Sequence, residues 1–371
     1  MAILLYFALG FLTMMLVTTV VNIITAPRIA RAPRPGAQPV VSVLIPARNE
    51  ENTIGLCLEG LTKQDYPDLE ILVLNDQSED DTEQVVRTWI ALDSRIRLLS
   101  GSDVPPGWTG KNWACQQLSE EASGEILIFT DADNRHAPFA VTNTVAYLQK
   151  YELGMLSAFP QQWTHTLAEK LIVPIMDIFV YGALPLWLTY YAPFPSMAAA
   201  NGQWLALTRD AYKKLGGHHT VKSELVEDTV LSRIAKKYRM KILTLAGTGA
   251  VFCRMYRSRS EIWAGFSKNF YGLAGYNNIV FFGILAAMVS GFILPYLLWP
   301  LASLRTLALI AIGLNILIRA MLAVRYRHPF WVSLLLHPVG MFYAVMIGMN
   351  SFLSARRGII RWKGRDIQIR K

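Results

Sequence analysis

Apolar residues along the chain form long unbroken stretches near both ends and short runs in the middle. The first long stretch, Ala2 to Thr25, is almost uncharged and exceeds the roughly 20 apolar residues that cross a bilayer. A cleaved signal peptide is the alternative, but the stretch lacks a basic start and a clear small-residue cleavage site. The pattern therefore predicts an N-terminal transmembrane helix over residues 1–26.

Three further apolar stretches predict a C-terminal transmembrane region over residues 279–355, followed by a basic tail over 356–371. The stretches are Ile279 to Pro300, Leu304 to Val324 and Phe330 to Leu353. Arg319 inside the second stretch is costly in lipid, so we expect it to face other helices or an interface. Pro338 in the middle of the third stretch permits a re-entrant hairpin in place of a full crossing.

Basic residues beside these stretches set the expected orientation, because cytoplasmic flanks carry an excess of Lys and Arg. They lie directly after the first stretch, between the last two stretches and in the C-terminal tail. The residues are Arg28, Arg31, Arg34, Arg325, Arg327, Arg356, Arg357, Arg361, Lys363, Arg365, Arg370 and Lys371. All of them are cytoplasmic only if the last stretch is re-entrant. We therefore predict a multi-pass protein of the cell membrane whose polar middle block faces the cytoplasm.

Composition and charge limit the classes of partner that the chain is expected to bind. The net charge of +9 resides mostly in the flanking residues and points to anionic lipid headgroups. The polar block has no basic stripe with interleaved aromatic residues, so we expect no nucleic-acid partner. Cys57, Cys115 and Cys253 are odd in number and widely scattered, which gives no disulfide framework or zinc spacing and suits a reducing cytoplasm.

The polar block, residues 40–270, alternates short apolar runs with helical patterns. The runs are Val40 to Ile45, Glu70 to Leu74, Arg95 to Leu99 and Ile126 to Phe129. Strands that alternate with helices predict an α/β fold with a doubly wound, mostly parallel sheet. Because ligands of such sheets bind beyond the carboxyl ends of the strands, we expect the polar loops to converge on one crevice.

Asp131 and Asp133 follow the last of these runs directly, at the carboxyl end of the predicted strand. Their spacing suits a hard divalent cation, which proteins commonly bind with one or two carboxylates together with substrate phosphates. Mg²⁺ and Mn²⁺ both prefer oxygen ligands, and the sequence does not choose between them. For an isolated Asp-Ala-Asp, a polar turn after a strand is the simpler interpretation. The choice between a metal site and a polar turn therefore depends on the other motifs in the sequence.

Four motifs together resemble glycosyltransferase family 2, in its order and at suitable spacing. They are Pro46-Ala-Arg-Asn-Glu-Glu51, the stretch Asn75 to Thr82, Asp131-Ala-Asp133 and Glu227-Asp228. The resemblance covers about residues 40–245 and implies the GT-A fold, a UDP-sugar donor and Mg²⁺ or Mn²⁺. It implies that Asp133 is the direct metal ligand, while Asp131 contacts the ribose and metal-bound waters. The donor-binding residues it implies are Pro46, Ala47, Arg48, Glu50, Asp76, Ser78, Lys111 and Asp131.

The second motif departs from the family pattern. Asn75 and Gln77 stand where the family often has Asp and Gly, while Asp76 matches the residue that binds the nucleobase. The glycine is replaced at a turn, which leaves the local backbone geometry open. An acidic turn between a strand and a helix is the alternative interpretation of this stretch.

Lys111 closes the segment Gly107-Trp-Thr-Gly-Lys111 before a helical run, so its ammonium could reach the donor diphosphate as a point charge. A solvated lysine at a helix start is the alternative. The surrounding residues 105–114 resemble a segment of bacterial membrane glycosyltransferases that act on carotenoid acids and in hopanoid pathways.

The acceptor side is expected from Asn201, Gly202, Gln203 and Lys268. An inverting transfer needs a carboxylate that removes the acceptor proton. Asp228 matches the family's base, with Glu227 as a supporting or alternative group. Acids also favour helix N-termini, which is the alternative reason for this pair. The Gln-x-x-Arg-Trp motif of processive synthases is missing from the sequence, which favours a single transfer over polymerisation.

Residues 167–195 are apolar and aromatic but broken by several prolines and by Asp177. Trp187, Tyr190 and Tyr191 suit a membrane interface. We predict that this segment lies along the membrane and guides a lipid acceptor to the base, with a buried core helix as the alternative.

The resemblance therefore implies an inverting, metal-dependent glycosyltransferase that moves one sugar from a UDP-sugar to a membrane lipid acceptor, which would be a carotenoid, hopanoid or other terpenoid. A polyprenyl-phosphate or ceramide-type glycosyltransferase and a polysaccharide synthase are alternatives. From other classes, a non-catalytic nucleotide-sugar-binding membrane protein would not need the base, and a nucleotidyltransferase would need a Gly-rich basic loop that is missing from 46–51.

Overall fold

The computed structural model describes residues 1–33, 36–357, 359–362 and 365–368, the last two ranges as backbone only. The basic residues Arg34, Lys363, Arg370 and Lys371 named above lie outside this part of the chain. The described chain divides into two compact units. We call residues 26–163 and 186–255 the sheet unit, and residues 1–25, 164–185 and 256 onward the helical unit.

The strands and helices follow the predicted alternation. The strands are β1 (Val41–Ala47), β2 (Leu69–Asn75), β3 (Ile96–Ser100), β4 (Ile126–Thr130), β5 (Asn134–His136), β6 (Met155–Phe159), β7 (Gln161–Gln162), β8 (Trp204–Thr208), β9 (Ile242–Ala246), β10 (Val251–Cys253), β11 (Ile359–Trp362) and β12 (Arg365–Gln368). The α-helices are α1 (Ala2–Thr25), α2 (Ile54–Thr62), α3 (Thr82–Ile90), α4 (Gly110–Glu121), α5 (Ala140–Lys150), α6 (Leu167–Ile172), α7 (Ile175–Asp177), α8 (Leu188–Tyr191), α9 (Arg209–Leu215), α10 (Glu227–Lys237), α11 (Arg259–Leu273), α12 (Asn278–Phe292), α13 (Leu294–Leu298), α14 (Arg305–Tyr326), α15 (Phe330–Leu335) and α16 (His337–Arg357). Short 3₁₀ helices cover Ile29–Arg31, Pro195–Met197 and Gly217–Val221, and a π-helix covers Ile178–Ala183.

The main sheet of the sheet unit orders its strands β3-β2-β1-β4-β8-β6-β9. β8 runs antiparallel to β4 and β6, and the other pairs are parallel. Every residue of β4 is buried, as expected for a strand covered on both faces. A small sheet orders β5-β10-β7 and begins directly after Asp133. The predicted α/β fold with a mostly parallel sheet is confirmed.

The helical unit holds the apolar stretches predicted at both ends. Within the described residues, α1, α14 and α16 are long and apolar enough to cross a membrane, and α12 is a shorter apolar helix. α14 runs parallel to α1, because Arg325 Nε donates to the carbonyl of Ile23 over 3.4 Å while Leu5 packs with Ala308 at the other end. α12 and α13 run the opposite way.

α15 and α16 form a helical hairpin. Arg319 Nε donates to the carbonyl of Ser333 over 3.2 Å, so α15 runs back beside α14. α16 then runs antiparallel to α12, because the ring of His337 lies 5.2 Å from Phe292 and the ring of Phe352 lies 5.6 Å from Phe281. This is the arrangement that a re-entrant segment around Pro338 requires, and its placement in a membrane stays a prediction.

Arg319 is 2% exposed and donates to the backbone carbonyls of Ser333 and Pro174, so it faces neighbouring segments as the sequence predicted. The segment 167–195 is divided between the units, with 167–185 in the helical unit and the rest in the sheet unit. Tyr190 is half-buried and packs on Tyr151, with ring centroids 5.7 Å apart.

Candidate active site

Two loops at the carboxyl ends of β1 and β2 are fastened together. Pro46 and Ala47 end β1, and the carbonyl of Ala47 accepts from the N–H of Asp76 over 2.8 Å. Arg48 Nη1 donates to the carbonyls of Asp76 over 2.8 Å and Gln77 over 3.0 Å. The arginine therefore fixes the backbone of the loop that carries Asp76, which is buried.

Further hydrogen bonds join the same two loops, those that follow β1 and β2. The N–H of Asn49 donates to Ser78 Oγ over 3.0 Å. The N–H of Glu50 donates to Thr82 Oγ1 over 2.7 Å, and the Glu50 carboxylate accepts from the Thr53 hydroxyl over 2.6 Å. The predicted donor-side residues of the two loops thus lie on one surface, held mainly through their backbones.

Lys111 lies between the carboxylates of two distant motifs. Its Nζ is 2.9 Å from Asp131 Oδ1 and 3.1 Å from Glu227 Oε1. Desolvation opposes the charge of Lys111, although 40% of its side chain stays exposed, but Asp131 and Glu227 outweigh this effect and hold the pKa of Lys111 well above its usual value. Lys111 is therefore a permanent cation that joins the end of β4 to the start of α10.

The Asp228 carboxylate is held by backbone donors. The N–H of Gly202 donates to its Oδ2 over 2.6 Å, and the N–H of Thr229 donates to its Oδ1 over 2.6 Å. Burial and the negative charge of Glu227 raise the pKa of Asp228 to about 6, against the opposing effect of Lys111 and the two N–H groups. A carboxylate with this pKa is mostly ionised at pH 7 and is more basic than an ordinary aspartate.

The position of Gly202 explains why a glycine stands there. A Cβ at residue 202 would lie 3.2 Å from Lys111 Nζ, 3.3 Å from Glu227 Oε1 and 3.5 Å from Asp228 Oδ2. Any side chain would therefore crowd the charged groups. On either side of the glycine, Asn201 Oδ1 accepts from the N–H of Gln203 over 2.8 Å, which closes a tight turn before β8.

Thiols surround the predicted metal motif. Cys57 and Cys253 are buried, and the pKa of each thiol is raised well above its usual value by burial and by the charges of Asp133 and Asp131. Cys253 Sγ also accepts from Gln203 Nε2 over 2.8 Å. Both thiols are therefore neutral at physiological pH. Among the described residues, no cluster of three His, Cys, Asp or Glu side chains could hold a metal by itself.

A comparison with known proteins identifies the part of the chain that carries the loops after β1, β2 and β4. The family model described as "Glycosyl transferase family 2" matches residues 42–166. These residues are a family 2 glycosyltransferase domain. The chain is therefore an enzyme of the glycosyltransferase class.

Relatives and a solved structure extend the comparison over nearly the whole chain. The chain is 25% identical over 353 residues, 89% of each protein, to 4,4'-diaponeurosporenoate glycosyltransferase of Staphylococcus aureus (strain USA300). It is 27% identical over 228 residues, 59% of this chain, to the protein of that name in Staphylococcus haemolyticus. The mannosyltransferase of Pyrobaculum calidifontis, solved with GDP-Man and Mn²⁺, shares its fold with a TM-score of 0.58 at 18% identity, covering 95% of this chain and 99% of that one.

The glycosyltransferase site also uses residues that the sequence did not single out. Asn112 Nδ2 donates to the carbonyls of Val221 over 2.7 Å and Glu224 over 2.9 Å, which anchors the loop that leads into Glu227. Asn134 Nδ2 donates to the carbonyl of Gln203 over 2.5 Å. Each of these residues directly follows one that the sequence singled out, Asn112 after Lys111 and Asn134 after Asp133, and this adjacency was the available signal.

Of the predicted acceptor-side residues, Gly202 contacts the proposed base, because its N–H donates to Asp228 Oδ2. Gln203 is 5% exposed, and its Nε2 donates to Cys253 Sγ. Lys268 lies in α11 of the helical unit.

Proposed function

We propose that this glycosyltransferase transfers one sugar from a UDP-sugar to a membrane lipid acceptor, with inversion at the anomeric carbon. The acceptor class is inferred from the staphylococcal relatives, which are named for a carotenoid acid. A carotenoid, hopanoid or other terpenoid fits an enzyme whose helices are apolar enough to cross a membrane.

One observation carries the proposal: Lys111 bridges Asp131 of the donor motif and Glu227 beside the base. The two motifs are 96 positions apart in sequence (131 to 227), yet their carboxylates share one ammonium. This shared contact supports a single site in which the donor-binding residues lie beside the proposed base. Lys111 can turn from these carboxylates to the donor diphosphate and stabilise its charge as the sugar departs.

Asp228 is the proposed base. Oδ2 and Oδ1 are held by Gly202 and Thr229, which fixes the carboxylate in one orientation. A pKa of about 6 leaves Asp228 mostly ionised near pH 7 and still basic, as general-base catalysis requires. Asp228 takes the proton of an acceptor hydroxyl as its oxygen attacks the anomeric carbon. An acceptor carboxylate would arrive ionised, and Asp228 would then only position it.

Asp133 and Asp131 fit a divalent cation. Both are hard oxygen donors in one turn after β4, and two carboxylates with substrate phosphates are a common site for Mg²⁺ or Mn²⁺. The described residues offer no third acidic, His or Cys ligand, so the remaining ligands would be donor phosphates and water. When bound, the cation supplies charge stabilisation to the departing diphosphate.

We also propose that the sheet unit faces the cytoplasm, because Arg28 and Arg31 follow α1 directly. Reporters fused after Arg357 should register on the cytoplasmic side, and reporters inserted at Ser303, between α13 and α14, on the outer side. An outer position of the fusion after Arg357 would exclude the re-entrant hairpin.

The decisive experiment is transfer of radiolabelled sugar into chloroform-extractable lipid by membranes that contain the protein. The donors are a panel of UDP-sugars and GDP-mannose, each with Mn²⁺ or Mg²⁺. We expect a discrete labelled lipid that Asp133→Ala and chelator abolish, while Asp210→Ala on the exposed face of α9 leaves it intact. Label in insoluble polymer would indicate a polysaccharide synthase, and nucleotide binding without transfer would indicate a non-catalytic binder.

A further inference from the structure

The turn of residues 201–203, directly before β8, carries the Gly202 N–H that binds Asp228. β8 lies between β4 and β6 in the main sheet. Its pairing with β4 reaches Trp204 and its pairing with β6 reaches Leu205, so the turn lies beyond both ladders. Contacts other than the sheet ladder must therefore fix the direction of the Gly202 N–H.

Two buried side chains hold the end of the turn on the β4 side. Thr130, the last residue of β4, donates from Oγ1 to the carbonyl of Gln203 over 2.9 Å. Asn134, the first residue of β5, donates from Nδ2 to the same carbonyl over 2.5 Å and to Thr130 Oγ1 over 3.0 Å. A carbonyl that accepts two hydrogen bonds has both lone pairs satisfied, so the position of Gln203 is well defined.

One buried hydroxyl holds the start of the turn on the β6 side. Ser157 Oγ accepts from the N–H of Asn201 over 2.7 Å and donates to the carbonyl of Asn201 over 3.1 Å. Ser157 is 2% exposed, so water does not compete freely for these groups. The residues on both sides of Gly202 are thus fixed by side chains of the two strands that flank β8.

We propose that Thr130, Asn134 and Ser157 are positioning residues for the transfer reaction. They hold the backbone of the turn 201–203 and thereby keep the Gly202 N–H directed at Asp228. They act through the turn and not by contact with the base. The inference rests on the proposed role of Asp228. It gives Asn134 a function distinct from support of the metal motif, which it directly follows in the sequence.

The first test separates turnover from donor binding. Asn134→Ala and Ser157→Ala should each lower kcat by about tenfold, because small displacements at a reacting centre are costly. The KM for the donor and the affinity for UDP with Mn²⁺ should stay close to those of the unchanged chain. Thr130→Val removes the hydroxyl at nearly constant shape and should behave in the same way, whereas Thr130→Ser keeps the hydroxyl and should retain most of the rate.

Thr144→Val is the matched control. The Thr144 hydroxyl is buried and accepts from the indole N–H of Trp204, the residue after the turn, over 2.9 Å. Its loss should lower the melting temperature and leave kcat unchanged, because the bond reaches a side chain and not the backbone of the turn. A fall in kcat equal to that of Ser157→Ala would show that any buried hydrogen bond near β8 has this effect, and would overturn the proposal.

The pH profile supplies a readout that a loss of stability alone does not change. The Gly202 N–H favours the ionised form of Asp228, so a loosened turn should raise the pKa of that carboxyl. With a hydroxyl acceptor, the acid limb of kcat/KM should move up by about half a pH unit in Asn134→Ala and Ser157→Ala. Glu227 and Lys111, the charged groups that act on Asp228, are the same in both variants.

The outcomes distinguish this proposal from the proposed function. Weaker UDP binding with Mn²⁺ in Asn134→Ala, together with an unchanged kcat in Ser157→Ala, would assign Asn134 to the metal motif and overturn the positioning role. An unchanged chain that transfers no sugar would instead contradict the proposed function. Thermal unfolding then tests the turn by itself: the double variant should lose less in melting temperature than the two single losses combined, because both act on one turn. Additive losses would overturn the proposal.

Discussion

The backbone N–H of Gly202 donates a hydrogen bond to Asp228 Oδ2 over 2.6 Å, so the proposed base is oriented by a main-chain donor. The same glycine leaves room for Lys111 and Glu227, because a Cβ would lie only 3.2 Å and 3.3 Å from their charged atoms. The orientation of Asp228 and the packing of Lys111 and Glu227 beside it thus depend on one residue that contributes no side chain.

Gly202→Ala should lower kcat by about tenfold, because neighbouring charged groups must shift by a few tenths of an ångström and small displacements at a reacting centre are costly. The measurement is the steady-state rate of sugar transfer. Gly283→Ala is the control, since nothing lies within 4 Å of a Cβ at that position. Equal rates for the two variants would show that Gly202 does not set the base geometry.

The pKa of Asp228, about 6, predicts the acid limb of the pH profile. The base must be ionised, so kcat/KM should fall as pH decreases through about 6 and then drop tenfold per pH unit. Asp228→Asn should cost roughly 10² to 10⁴ in rate with a hydroxyl acceptor. A mild defect together with a flat acid limb would indicate a carboxylate acceptor, for which no proton is removed.

Lys111→Met should move that acid limb to higher pH, because the ammonium opposes the rise in the Asp228 pKa and its removal leaves Glu227 uncompensated. It should also raise the KM for the donor. Lys111→Arg keeps the charge and should keep the position of the limb, even if its rate is lower. Lys214→Met on the exposed part of α9 is the neutral control. An unchanged limb in Lys111→Met would exclude electrostatic coupling between Lys111 and the base.

The sequence predicted the sheet and the acidic motifs because both follow from local patterns. Buried strands such as β4 are continuous apolar runs, and Asp131 and Asp133 come directly after one. The contact between Lys111 and Glu227 joins residues 116 positions apart (111 to 227), so no local pattern contains it. The role of Gly202 was hidden for a different reason: its contribution is a backbone N–H, which every residue other than proline possesses.

Residues 167–195 show what composition does not reveal, and their placement along a membrane stays a prediction. The segment was predicted as one interfacial element, yet its first part belongs to the helical unit and its last part to the sheet unit. Apolar and aromatic content does not distinguish Tyr190, which packs on Tyr151, from Tyr191, which is 75% exposed. Neighbouring rings differ in burial because of tertiary contacts, and composition does not predict these contacts.

Gln77 is the departure from the family pattern whose geometry the sequence left open, and the structure gives it a φ of 55°. The turn therefore keeps the left-handed conformation that glycine adopts easily, and Gln77 Nε2 donates to Asp103 Oδ1 over 2.5 Å. Gln77→Gly should leave stability within about 1 kcal/mol, since relief of left-handed strain offsets the lost exposed hydrogen bond.

Gln77→Val should instead destabilise the chain, because a β-branched residue is strongly disfavoured at positive φ. Thermal unfolding of the two variants in detergent distinguishes these outcomes, with Val melting below Gly. The hydrogen bonds of Arg48 to the carbonyls of Asp76 and Gln77 require this turn, so Gln77→Val should also weaken UDP binding. If both variants melted together and bound UDP equally, the left-handed turn at Gln77 would be irrelevant to the donor loop.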